Sequence, residues 1–250
     1  MTDVLKVESL SVFYEKNQAV NNISFRAEEG NLIGIIGPNG AGKSTLIKAI
    51  LGLEKATGNV SVFGENVNDM RKKISYVPQR NQIDWDFPVL VEDVVKMGRF
   101  THIPWYKKSG KKDVEIVIES LDKVGMLDYR KRQIGELSGG QQQRVFIARA
   151  LAQHADLFFL DEPFVGIDVT SEEIIINLLR QLRNEGKTVF VVHHDLSKVE
   201  QYFDQLLLIN KELIEFGAVK KVYQPEILSK TYKGSIQLFG ANENMMVVSD

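Results

Sequence analysis

The stretch IIGPNGAGKSTL, Ile35–Leu46, sets three glycines and a proline between Gly37 and Gly42, directly after an apolar run and directly before a helical pattern. Its segment GPNGAGKS, Gly37–Ser44, fits G-x-x-x-x-G-K-[ST], in which a glycine-rich loop wraps backbone N–H groups around a polyphosphate. The glycines permit close approach and positive φ, and the helix that follows adds its own free N–H groups and positive dipole end. In this pattern Lys43 reaches the outer phosphates and Ser44 holds magnesium through its hydroxyl. The candidate cradle is Gly37, Pro38, Asn39, Gly40, Ala41, Gly42, Lys43, Ser44 and Thr45. A purely structural tight turn is the alternative, and the preceding strand and following helix weigh against it.

Two further segments carry chemistry. LFFLDEP, Leu157–Pro163, puts four apolar residues ahead of two carboxylates. Such a run makes a buried parallel strand, and the carboxylates emerge at its end, where such sheets bind ligands. Asp161 is then placed to position magnesium, directly or through water, and Glu162 to orient an attacking water or take its proton. LSGGQQQR, Leu137–Arg144, opens a helix whose apolar positions Val145, Ala148, Leu151 and Ala152 recur at helical spacing. Read from residues alone it is equally a capped helix after a turn and a second anion-receptive helix start.

Outward from these segments the pattern is mixed. VLKVESLSVFYE and NNISFRAEEG alternate like neighbouring antiparallel strands, NLIGIIG is a short apolar strand, and Lys43–Leu51 reads as a helix. GNVSVFG and KISYVPQ are two further strands. From about Gln79 to Gln153 helical periods take over, in VEDVVKMGR, KKDVEIVIESLDKVGML and GGQQQRVFIARALAQ. Strand and helix then alternate through DLFFLDE, SEEIIINLLRQLRNEG, TVFVVHHD and DQLLLIN, which predicts a parallel-sheet α/β core interrupted by a helical insertion. KKSGKK, Lys107–Lys112, is the most loop-like segment, and a solvated loop is its simpler reading. YQPEILSKTY contains a helix after Pro225, and ENMMVVSD near the end has no assigned role.

Composition narrows the partners. With 250 residues, 44% of them hydrophobic, the chain can bury a substantial core. The 31 basic and 33 acidic residues leave a formal charge of −2, so no global basic field gathers nucleic acid or an anionic bilayer, and any charged partner is met locally. Zero cysteines remove disulfides, thiolate zinc clusters and thiol nucleophiles, and four histidines lie scattered without ligand spacing. No apolar run approaches the ~18 residues of a spanning helix, and no secretory pattern opens the chain. A cytosolic location follows as the expectation, with any membrane crossing left to another subunit.

Taken together, GPNGAGKST, LSGGQ and FFLDEP, in that order, resemble the motifs of ATP-binding-cassette nucleotide-binding subunits, and the resemblance covers essentially residues 3–220. It implies one ATPase domain over residues 1–250. The fold class is α/β: a P-loop NTPase core of mainly parallel sheet with flanking helices, plus an N-terminal antiparallel β-subdomain. The helical signature insertion would span about residues 80–153 and a C-terminal tail about 216–250. It also implies ATP and magnesium as ligands. Tyr14 matches the aromatic that stacks on adenine, and Gln79 the loop glutamine linking magnesium (with Ser44 and Asp161) to membrane subunits. Ser138, Gly139, Gly140 and Gln141 match the signature that meets ATP in trans. Asp168 matches the loop after the catalytic Glu162, and also serves as an N-cap for the following helix. His194 matches the switch histidine; spacing to Asp195 selects it over His193, which stands where many relatives have threonine.

The resemblance further implies a head-to-tail homodimer in which the phosphate loop of one subunit and the LSGGQ helix of the other enclose each ATP. Integral-membrane permease subunits, and indirectly an extracellular or periplasmic metal-binding protein, would complete the assembly at the cytoplasmic side of the membrane. Nucleic acid is not an expected partner. The segment Pro78–Arg99 resembles that of importers for manganese, zinc or iron, where it lies close to the permease contact. Trp85 and Phe87 are either a docking anchor or rings packed beneath the helical insertion. Two rival classes share the phosphate motifs. One is a soluble clamp of the same superfamily, serving iron–sulfur assembly, DNA maintenance or translation; the other is a non-catalytic nucleotide-binding module, in which Glu162 and His194 would be expected to degrade.

Overall fold

A computed structural model describes residues 3–15, 17–85, 87–104 and 106–233. In chain order the elements begin with strands β1 (Asp3–Tyr14), β2 (Asn17–Glu28) and β3 (Leu32–Ile36), then helix α1 (Lys43–Ile50). Strands β4 (Thr57–Val62), β5 (Glu65–Asn66) and β6 (Ile74–Val77) precede helices α2 (Val91–Met97), α3 (Lys111–Lys123) and α4 (Gly139–Ala152). Next come β7 (Leu157–Leu160), α5 (Val169–Asn184), β8 (Thr188–Val192) and the short α6 (Val199–Tyr202). Strands β9 (Gln205–Asn210) and β10 (Glu212–Ala218) and helices α7 (Val219–Val222) and α8 (Pro225–Thr231) finish the described chain. The chain divides into two compact units, Met1–Met70 with Thr188–Asp250, and Arg71–Lys187.

In the first unit β3 is the centre. All five of its residues are buried, and it pairs in parallel with β8 on one side and β9 on the other. A strand covered on both faces has no polar side to alternate, which is why LIGII and TVFVV read as unbroken apolar runs. The antiparallel pair β1–β2, extended by β4, forms a second sheet of the same unit. Phe25 on β2 ties the sheets together: its ring centroid lies 6.3 Å from that of Phe190 and 5.4 Å from that of Phe216. Strand β10, antiparallel to β9, was not foreseen in the sequence. Its turn carries Lys211 at φ +63 where a glycine would have signalled a hairpin, and Glu212 and Glu215 interrupt the apolar pattern.

The second unit pairs β6 with β7 in parallel and packs α2, α3 and α4 as the expected helical segment. Helix α4 buries Val145, Phe146, Ile147, Ala148, Ala150, Leu151 and Ala152, and so is the core of that segment. The helix predicted after Pro225 is α8, with proline in its first turn. ENMMVVSD lies outside the described residues. Among the described residues no helix is long and apolar enough to cross a membrane.

Candidate functional site

The phosphate loop sits between β3 and α1 and is gripped by backbone from both sides. A methyl group on Gly37 would collide with the Ile209 carbonyl, and one on Gly42 with the Ala19 carbonyl; Gly42 also takes φ +90. Gly40, at φ +74, faces open space. Closure from outside comes from the β9–β10 turn, where Lys211 N–H donates to the Ala41 carbonyl at 2.8 Å. Two of these glycines are therefore required by crowding and one by conformation alone. Gly42→Ala should cost about 2–4 kcal/mol, from overpacking plus a left-handed backbone. Gly52→Ala, at φ +67 with nothing within 4 Å, should cost only about 1–2 kcal/mol, from the backbone term alone. Urea midpoints of the two variants check the ordering, and equal losses would remove the crowding argument.

Lys43 is buried, 7% exposed, and its Nζ donates to the carbonyls of Gly37 at 2.8 Å and Pro38 at 2.9 Å. The ammonium is thus folded over the mouth of the loop. Gly42 caps α1 without a side chain, and the first turn holds no acidic residue, so nothing anionic of the helix's own competes for its positive end. Ser44 and Thr45 follow, half-buried, in that turn. At the edge of the same unit Tyr14 ends β1 opposite Asn17, 44% exposed. Of the two adjacent histidines after β8, His194 is exposed. His193 is 3% exposed, against Tyr202 at 5.9 Å and Phe203 at 5.6 Å between ring centroids.

In the second unit β7 delivers Asp161, fully buried, whose N–H donates to the Val77 carbonyl at 2.9 Å. Its neighbour on β6 is Tyr76. Burial first, and then the negative charge of Asp161, push that phenol well above its usual range, so Tyr76 stays neutral beside a carboxylate. Glu162 follows at φ +52, a left-handed backbone costing about 1–2 kcal/mol in a residue with a Cβ. Strain of this kind is characteristic of positions held for function. Within this unit Gln79 and Asp161 carry an amide oxygen and a carboxylate, and in the first unit Ser44 carries a hydroxyl, each a hard oxygen donor of the type magnesium takes.

Ser138 caps α4. Its Oγ accepts from Gln141 N–H at 3.4 Å while its own N–H donates to Gln141 Oε1 at 2.9 Å. Behind this capping box Gly140 has no room for a side chain: a Cβ there would collide with Ser171 Oγ and lie 2.8 Å from Asp168 Oδ2. Asp168 is the N-cap of α5, accepting from Ser171 N–H and Oγ, both at 2.8 Å, and the backbone bond and then the hydroxyl bond hold its carboxyl below the usual range. The signature start and the Asp168 loop therefore form one cluster.

Three residues not singled out in the sequence join this unit's polar framework. Arg80, next to Gln79, donates from Nη2 to Gln142 Oε1 at 2.9 Å, and Gln142 donates to the Ile134 carbonyl at 3.2 Å. Ser171 locks Asp168 as described, and only the Asp-to-Ser spacing of a capped helix hinted at it. Trp85 packs inward, edge-on to Phe146 at 5.1 Å, with Nε1 donating to the Arg80 carbonyl at 2.8 Å. Phe87 is 59% exposed, so the two rings separate into one packed and one open to contact.

Comparison with known proteins gives the same direction. The ABC transporter family matches residues 20–165. The manganese transport system ATP-binding protein MntB of Halalkalibacterium halodurans is 68% identical, the match covering all of both chains. The zinc transport system ATP-binding protein TroB of Treponema pallidum is 48% identical over 93% of this chain and 88% of its own. Among solved structures, the dimeric post-hydrolysis state of an ATP-binding cassette bound to ADP and phosphate superposes with TM-score 0.75 at 28% identity, over 86% of this chain and 98% of that one. With a phosphate loop gripped by carbonyls, a buried Asp161 before a strained Glu162, and a glycine signature capping α4, the chain belongs to the ABC transporter family.

Proposed function

We propose that this chain is the ATP-hydrolysing subunit that powers an importer for a divalent transition metal, with manganese the first candidate and zinc or iron next. The observation that carries the reading is full-length identity of 68% with a manganese transport ATP-binding protein. It works as a peripheral subunit on the cytoplasmic side of the membrane, with integral-membrane permeases and, through them, an external metal-binding protein.

The chemistry asks mainly for positioning and charge neutralisation. Magnesium, when bound, neutralises charge on the phosphates; Ser44, Gln79 and Asp161 supply its oxygen donors. Lys43, already turned into the loop, neutralises the outer phosphates. Glu162 orients water and accepts its proton, His194 contacts the outer phosphate from its exposed position, and Tyr14 stacks on adenine. In a head-to-tail dimer Ser138 of the second copy reaches the same ATP. Its hydroxyl accepts only a long bond from Gln141, at 3.4 Å, and keeps its proton to donate. Gly139, Gly140 and Gln141 shape that approach, and the Asp168 cluster holds it in place. The outer phosphate gives the closed dimer its extra affinity, so cleavage reopens it.

Depletion of the protein, followed by measurement of cellular manganese, zinc and iron together, tests the cargo. Manganese is expected to fall several-fold with the others unchanged. A selective fall in zinc reassigns the metal, and unchanged levels of all three overturn the transport reading.

A further inference from the structure

Between Lys96 and Lys112 the chain carries six basic side chains and no acidic one, in a protein whose overall charge is −2. One of the six is internal. Arg99 donates from Nε to Asp113 at 3.1 Å and from Nη1 to the Ala152 carbonyl at 2.7 Å, and so pins the segment to α3 and α4. A ring nitrogen of His102 adds a 2.8 Å contact to the Gln153 carbonyl. The other five are lysines, and Lys107, Lys108, Lys111 and Lys112 are exposed. KKSGKK, read in the sequence as a solvated loop, does present its four lysines to solvent, and it follows a stretch held in place by Arg99 and His102.

Lys96, Phe100, Ile103, Lys107, Lys108 and Ser109 line an open cleft of about 680 Å³. Ser109 Oγ is buried without a hydrogen-bond partner among the described residues. Phe100 of this lining is 61% exposed, Tyr106, whose ring lies 6.0 Å from the Lys107 ammonium, is 68% exposed, and Met97, next to Lys96 in the chain, is 40% exposed. Lysines around an apolar cleft with aromatic rings at its edge match an anionic bilayer surface, where ammonium groups meet headgroup phosphates and rings sit at the headgroup level.

We propose that this cleft and its lysine rim dock on anionic phospholipid headgroups of the membrane, giving the subunit a direct contact with the bilayer. The proposal goes beyond the ATPase reading and does not depend on which metal is carried. Co-flotation of the purified full chain with phosphatidylcholine vesicles, with and without phosphatidylglycerol, tests it. The chain is expected to float only with the anionic vesicles and to be released as ionic strength rises. Each lysine near such a surface is worth roughly fivefold, so the Lys107→Gln, Lys108→Gln double variant should bind about 25-fold more weakly. Phe100→Ala should weaken binding further, with thermal midpoint and ATP turnover unchanged in both. Equal flotation of the double variant overturns the proposal, as does release of the chain by inorganic phosphate at fixed ionic strength. Lysine-dependent capture only by vesicles that contain the permease would show an acidic protein segment as the occupant, and overturns it too.

Discussion

Glu162→Gln should lower steady-state ATP turnover by about 10²–10⁴-fold, the range general-base removal produces, while leaving ATP binding intact. The substitution keeps the volume of the side chain and keeps a Cβ, so the left-handed backbone at φ +52 is unaltered and the preceding Asp161 keeps its place. Only the ability to take a proton is lost. If the outer phosphate is what holds two copies together, the variant should accumulate as an ATP-bound dimer on a sizing column and revert to monomer with ADP. Glu162→Gly offers a contrasting case: it removes the carboxylate and also the strain of about 1–2 kcal/mol. It should be as inactive as the glutamine variant, with its stability loss offset by that relief. Normal turnover in Glu162→Gln would remove the glutamate from its role as base.

Much of this arrangement was legible in the residues because local and global signals agree there. Strands β3, β7 and β8 are short, apolar throughout and bounded by turn residues, which is what double-sided burial writes into a sequence. The phosphate loop shows itself because crowding by Ile209 and Ala19 leaves glycine as the only residue that fits at two of its positions. Ser138 and Asp168 announce their helices through capping spacing, three residues ahead of Gln141 and Ser171. Other features depend on neighbours distant in sequence and leave no local trace. Strand β10 owes its pairing to β9 and not to its own alternation. The Arg80–Gln142 bond spans 62 positions, and Trp85 chooses packing because Phe146 meets it edge-on. The difference between an exposed His194 and a buried His193 follows from Tyr202 and Phe203, which fill the space beside one of them.

Lys43→Ala is expected to remove nucleotide binding itself, which separates it from the glutamate variant. The ammonium makes two hydrogen bonds across the loop mouth, to Gly37 and Pro38, from a position only 7% exposed. That geometry gives it two effects on deletion. Loss of the hydrogen bonds costs stability, whereas removal of a buried cation restores part of it. The empty protein should therefore melt within a few degrees of the wild type. If the ammonium neutralises the outer phosphates as proposed, loss of its charge has no such offset, and at saturating nucleotide the two proteins should part. A protein at a hundredfold excess of ligand over its dissociation constant gains about 2.7 kcal/mol, so wild type should rise by several degrees with magnesium and ATP while Lys43→Ala stays where it was. Lys43→Arg keeps the charge but replaces a compact ammonium by a planar fork in a loop closed by carbonyls, and should recover only part of the shift. A full ATP-dependent shift in Lys43→Ala would mean that the loop binds phosphate through its backbone alone. A collapse of the unliganded melting temperature would instead make the lysine a structural clamp.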